Sequence, residues 1–209
     1  KYSMCWRRSA KVNLIEQNFD FFVGILTVVG PEGDQSFTCT RKARCLIEGI
    51  EGSGLAQGDN IMVLGPECSE KTQVAVPQTT MRSASSVQWS QEQFQGAAGK
   101  YALCWCIRDF SCKEASDFSK SIAILTIRGP LPGQNAECNR GIDCTVSGIA
   151  GFSLEAGDKA EIHVECGTGP RVQGFYPQTA AAVEVQVGTA GDVAFAYTWP
   201  SLRANPGIY

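Results

Sequence analysis

The residues best equipped for chemistry in this 209-residue chain are its ten cysteines and its single histidine, His163. Thiolates and an imidazole first suggest a metal centre or a nucleophile. The cysteines are Cys5, Cys39, Cys45, Cys68, Cys104, Cys106, Cys112, Cys138, Cys144 and Cys166, and no CxxC pair occurs among them. Zinc sites draw on CxxC pairs or on histidines a few residues apart, so no metal ligand is assigned. Cys104-Trp105-Cys106 is CxC on a strand-like segment, which offers no helix N-terminus to lower a thiol pKa for redox work. Paired disulfides in an oxidising compartment are the expected use of an even cysteine number. His163 lies in a strand between Ile162 and Val164; a triad needs a histidine with a serine or cysteine and an orienting acid, and a single strand histidine is more often a surface or half-buried residue. The glycines of Gly52-Ser53-Gly54 precede a strand rather than a helix, so they form a turn and not a phosphate cradle. Glu32, Asp34, Glu48, Glu51 and Asp59 lack the regular spacing of a calcium loop. No catalytic residue and no cofactor is expected, and the chain is read as a non-enzyme.

The elements that must position the cysteines repeat. Lys1-Tyr2-Ser3-Met4-Cys5-Trp6 returns as Lys100-Tyr101-Ala102-Leu103-Cys104-Trp105, an offset near 99 residues. At that offset Ile25-Leu26-Thr27-Val28 returns as Ile124-Leu125-Thr126-Ile127, and Gly30-Pro31 as Gly129-Pro130. Cys39 and Cys45 return as Cys138 and Cys144, Gly58-Asp59 as Gly157-Asp158, and Cys68 as Cys166, one residue out of step. His163 has Leu64 as its counterpart. Gly188 to Phe195 reads as a third, degenerate version of the boundary strand, with Ala196 where Cys104 stood. Alternation places Tyr101, Leu103, Trp105 and Ile107 on one strand face, and Val193, Phe195, Tyr197 and Trp199 on another. Phe21–Val29 reads as a buried strand, and short strands are also expected at Cys45–Ile50, Asn60–Leu64, Gln73–Val76 and Val87–Trp89. Gly-Asp pairs punctuate them, glycine for a positive φ and aspartate for a bond back into the turn. The fold class is all-β, with two tandem immunoglobulin-like β-sandwich domains stapled by disulfides. The boundary falls within about eight residues of 107, giving a first repeat over 1–107 and a second over 108–209.

Comparing the repeats sorts the cysteines. Cys106 and Cys112 lack counterparts in the first copy, so they are expected to pair with each other. The other eight form two sets of four, each with three possible connectivities. The favoured arrangement has Cys39–Cys45 and Cys138–Cys144 across one turn, and Cys5–Cys68 and Cys104–Cys166 between distant strands.

Tyr101-Ala102-Leu103-Cys104-Trp105-Cys106, the Gly-Pro turn, the Cys-x5-Cys pair and the Gly-Asp turn together resemble the cysteine-rich tandem ectodomain repeats of surface and secreted proteins of alveolates and some algae. The resemblance covers nearly all of both copies. Arg7 departs from it where the second boundary cysteine would stand, and the last boundary strand lacks both cysteines. It implies an extracellular setting and modular arrays, and no catalytic residues.

A net charge of −3 gives no basic surface for a nucleic-acid partner. No apolar run reaches the roughly 18 residues of a membrane span. There is no Asn-x-Ser/Thr sequon, and Thr79 to Ser86 is a hydroxyl-rich segment read as a polar loop or an O-glycan carrier. The favoured function is an extracellular structural protein, a self-assembling subunit of a surface filament, coat or matrix. Its assembly residues would be Tyr2, Met4 and Trp6, on a strand without a preceding core, and Ile208 and Tyr209 in the tail. The alternative is an adhesin or receptor-type ectodomain that recognises glycan or protein through its loops.

Overall fold

Short alternating segments cut by glycine and proline cannot sustain a helical stripe, and they fold as strands. The computed structural model describes residues 1–7, 19–68, 72, 74, 76–177, 179–187 and 192–207. Among these the secondary structure is all β apart from one 3-10 turn, Ala115–Asp117. In chain order the strands are β1 (Tyr2–Trp6), β2 (Phe21–Leu26), β3 (Gly30–Pro31), β4 (Gln35–Thr40), β5 (Cys45–Glu48), β6 (Gly52–Ser53), β7 (Asn60–Leu64), β8 (Thr79–Ser83) and β9 (Ser86–Trp89). There follow β10 (Gly99–Cys106), β11 (Lys120–Pro130), β12 (Cys144–Ile149), β13 (Gly151–Phe152), β14 (Lys159–Glu161), β15 (Thr179–Ala181), β16 (Val183–Val187) and β17 (Asp192–Trp199).

The first core lies inside one continuous sheet. Its order runs β5-β9-β8-β7-β10-β11, with β4 added in parallel to β11 and β13 to the far end of β11. Cys39–Cys45 ties β4 to β5, so the two ends of the sheet meet and it becomes a near-closed barrel. This replaces the two facing sheets expected of an immunoglobulin sandwich. The cause is β10, which pairs with β7 on one edge and β11 on the other and leaves no break at which two sheets could part. Leu103, Ile122, Leu125 and Ile127 of β10 and β11 are fully buried in this core. Each such side chain contributes about 1.5–3 kcal/mol by leaving water. The other face of β7 and β10 is covered too, by Cys106–Cys112 and Phe118 over Met62, Leu64 and Cys104. The hydroxyl-rich segment is strand, turn and strand rather than loop, because Met81 and Val87 turn inward and anchor it.

The second core gathers Cys144, Phe175, Tyr197, Trp199 and Leu202. β12 pairs with β17, and β17 with β16, while β14 pairs with β15. The segment 192–199 does not take the place of the boundary strand. Trp199 stands opposite Cys144, as Trp89 stands opposite Cys45, so β17 occupies the position of β9. Backbone bonds agree: Lys42 N donates to Phe94 O (3.0 Å), and Gly141 N to Leu202 O (2.8 Å). Ala196 therefore says nothing about a missing boundary cysteine. The segment misleads because a central strand and a boundary strand share the same alternation.

Phe21–Val29, expected to be buried, is exposed. β1 and β2 form a separate two-stranded sheet, and Phe21, Phe22, Val23, Ile25, Leu26, Val28 and Val29 all face solvent. The residues around Gln73–Val76 form no strand among those described, Gln73 and Ala75 lying outside them.

Candidate functional site

Two features stand out among the described residues, a hairpin with its apolar side chains exposed and a core with a gap. The hairpin is β1–β2. Its register is Tyr2 to Leu26, Met4 to Gly24, Cys5 to Phe22 and Trp6 to Phe21, with a bulge between Met4 and Cys5. In β10–β11 the register is Tyr101 to Leu125, Leu103 to Ala123, Cys104 to Ser121 and Trp105 to Lys120, with a bulge between Leu103 and Cys104. At the sequence offset the two hairpins are the same object. Their surroundings differ: Trp6 is 55% exposed against 9% for Trp105, Met4 47% against 0% for Leu103, and Leu26 52% against 0% for Leu125. Val23 and Val28 are likewise exposed where Ile122 and Ile127 are sealed. Ile25 and its counterpart Ile124 are both exposed, at 65% and 54%, so that position points outward in either hairpin.

The gap lies in the second half. Gln134 clamps the chain there as Gln35 does in the first half, donating to the carbonyls of Leu131 and Ala150 and accepting from Ala150 N. Gln35 does the same with Glu32 and Glu51. Beyond that clamp, residues 35–40 become β4 against β11, whereas residues 134–139 have no strand partner. β7 carries β8 on one edge and β10 on the other, whereas β14 carries β15 alone. Among the described residues no strand fills the two places between β14 and 134–139. A groove of about 1230 Å³ opens there, lined by Val146, Ile149, Ala160, Ile162, Phe175 and Tyr197 among others.

The turn at the groove mouth is built as in the first core. Gly58 and Gly157 have φ of 89° and 92°, a region that suits glycine. Asp59 and Asp158 bond back to the amides of Ala56 and Glu155, each at 3.1 Å. Asp59 is fully buried and also accepts from Trp105 Nε1 (3.1 Å) and Arg108 (3.2 Å). The other Asp158 oxygen meets Arg128 at 2.5 Å, an arginine that also reaches Glu155. Burial pushes the Tyr197 phenol pKa up, and the charge of Asp158 adds to it. Trp89 Nε1 donates to Pro77 O (2.9 Å), but Trp199 Nε1 is buried without a hydrogen-bond partner among the described residues.

Four disulfides are formed: Cys39–Cys45, Cys68–Cys104, Cys106–Cys112 and Cys138–Cys144. The short bridges match expectation. The long ones are corrected. Cys5–Cys68 and Cys104–Cys166 do not form, and Cys5 and Cys166 carry free, exposed thiols. The reason is topological: β10 closes the core that precedes it in sequence, so Cys104 meets Cys68 and not Cys166.

His163 is held at both ring nitrogens. Its Nδ1 faces the Gly169 carbonyl (2.9 Å) and its Nε2 faces Glu161 Oε2 (3.1 Å). Arg171 Nε (2.9 Å) and Thr179 Oγ1 (2.5 Å) donate to the same carboxylate. The Thr179 and His163 bonds hold Glu161 below the usual carboxylate range, while the Gly169 carbonyl and Glu161 raise the His163 pKa. The cluster braces the loop that carries Cys166. Among the described residues no group of three or more His, Cys, Asp or Glu is placed to hold a metal, and no helix is long and apolar enough to cross a membrane.

No family model, no curated protein and no solved structure matches this chain.

Of the assembly residues expected from sequence, Tyr2, Met4 and Trp6 lie together on the exposed hairpin. Ile208 and Tyr209 lie outside the described residues. Sequence reasoning missed Val23 and Leu26 on the second hairpin strand and Val28 just beyond it, and it missed the groove. The signal was present: these residues align with a β11 that must be buried somewhere. Large exposed apolar patches mark interaction surfaces in many proteins.

Proposed function

We propose that this chain is an extracellular structural protein, a subunit that assembles with its own copies into a surface filament, coat or matrix. In this reading it is built from two copies of one disulfide-stapled β module, related to the cysteine-rich ectodomain repeats that its boundary motif resembles. One observation carries the proposal: the β1–β2 hairpin exposes the apolar side chains that the equivalent β10–β11 hairpin buries. Monomers that stay single seldom present a long apolar edge to water. The four disulfides fit an oxidising exterior, where such bridges persist. Sedimentation over a wide concentration range, followed by electron microscopy, tests the reading. Growing, open-ended oligomers are expected. A strict monomer at every concentration would overturn it, and a monomer with a saturable glycan or protein ligand would favour the adhesin-type ectodomain instead.

A further inference from the structure

We propose that the groove of the second core is the acceptor for the β1–β2 hairpin of a second copy of this chain, locked by a disulfide between Cys5 of one copy and Cys166 of the next. The inference rests on the self-assembly reading and adds its site, register and covalent bond.

The first core is the template. There β10 lies on the edge of β7 and β11 lies on β4. The counterparts of β7 and β4 in the second half, β14 and residues 134–139, are the two stretches left without those neighbours. The hairpin with the matching register and bulge is the one left without a core. In the template Trp105 pairs with Ile61, Cys104 with Met62 and Leu103 with Val63. Carried across, Trp6 faces Ala160, Cys5 faces Glu161 and Met4 faces Ile162. Val23, Leu26 and Val28 enter the groove as Ile122, Leu125 and Ile127 enter the first core. Trp6 Nε1 reaches Asp158, as Trp105 Nε1 reaches Asp59.

The free thiols point to the same contact independently. Cys5 is the counterpart of Cys104 and Cys166 that of Cys68, and Cys68–Cys104 is a formed bridge. The two cysteines unbonded within one chain are thus the two halves of one bond between chains, the counterpart of Cys68–Cys104. A low-molecular-weight disulfide such as oxidised glutathione serves as oxidant. The Cys5 thiolate attacks it and one glutathione thiol leaves; the Cys166 thiolate of the next copy then attacks Cys5 Sγ and displaces the second. Two protein thiols are oxidised, one small disulfide is reduced to two thiols, and the two protons end on the glutathiones. Because donor and acceptor are different surfaces, the contact is head-to-tail and propagates.

The test uses the full chain with its four internal bridges intact, in a glutathione redox buffer, with non-reducing gels and peptide mapping. A ladder of dimers, trimers and longer species is expected, with Cys5–Cys166 as the linking peptide pair. Cys5→Ser or Cys166→Ser should abolish the covalent ladder. Leu26→Asp should weaken noncovalent assembly at least tenfold, whereas Ile25→Asp, at the outward position, should change it less than twofold. All four substituted residues are exposed in the single chain, so its folding is not at stake. Oligomers linked through Cys5–Cys5 or Cys166–Cys166, or equally sensitive to the Leu26 and Ile25 changes, would overturn the groove and leave the structural reading standing. Absence of any oligomer would remove both.

Discussion

The first and second cores differ in one respect that explains most of the others: the first contains a β10–β11 hairpin and the second does not. Where the hairpin is present, 35–40 is a strand, both edges of β7 are paired, the aspartate of the Gly-Asp turn is sealed under a tryptophan and the long disulfide is closed. In the second core, among the described residues, the corresponding segment has no strand partner and the β14 edge is open, while Asp158 is held by an arginine and Cys166 is free. One hairpin thus acts as a keystone. A hairpin of the same register and bulge stands exposed at the other end of the described chain.

Removing the keystone bridge with Cys68→Ala and Cys104→Ala should cost about 4 kcal/mol, from the closure entropy of a loop with sequence separation 36. Cys5→Ala and Cys166→Ala should leave the monomer unchanged; chemical denaturation of monomeric protein measures both. Leu125→Ala should cost about 3 kcal/mol through the cavity it leaves, and Leu26→Ala less than about 0.5 kcal/mol in the same assay. Equal losses would mean that the two hairpins have the same surroundings. Asp59→Ala should cost about 2 kcal/mol, because buried donors on Trp105 and Arg108 lose a charged acceptor, and Asp158→Ala no more than about 1 kcal/mol. The smallest effect sharpens the picture of the Cys166 loop. The folded His163 pKa is raised above its ordinary value of about 6.5. Its bond to Glu161 therefore contributes fully below that value and is lost as pH rises through the folded pKa. Amide exchange at Val164 and Gly169, corrected for intrinsic pH dependence, should show weaker protection on the alkaline side, and His163→Ala should remove that change.

Much of this was legible in the sequence, for local reasons. The six-residue spacing shared by Cys39–Cys45 and Cys138–Cys144, and the joint appearance of Cys106 and Cys112, predict three bridges that the structure contains. The Gly-Asp turns behave as their chemistry requires. The long bridge was illegible because a repeat does not say whether its boundary strand serves the core before it or the core after it; that is decided by which edge β10 pairs with. The strand β17 misled for a related reason, since a longer hairpin in the second half shifts Trp199 away from the sequence offset and onto the place of Trp89. Phe21–Val29 reads as buried from its composition alone. Its composition is that of a buried strand, but its large apolar side chains are exposed among the described residues.

The account is tested most directly by a density map of the assembled form from electron microscopy, at a resolution that traces strands. It predicts subunits in head-to-tail order, with β1 added to the edge of β14, residues 134–139 straightened into a strand beside β2, and the Trp6 indole over Asp158. A symmetric contact in which two hairpins pack on each other, with both grooves still empty, would contradict it.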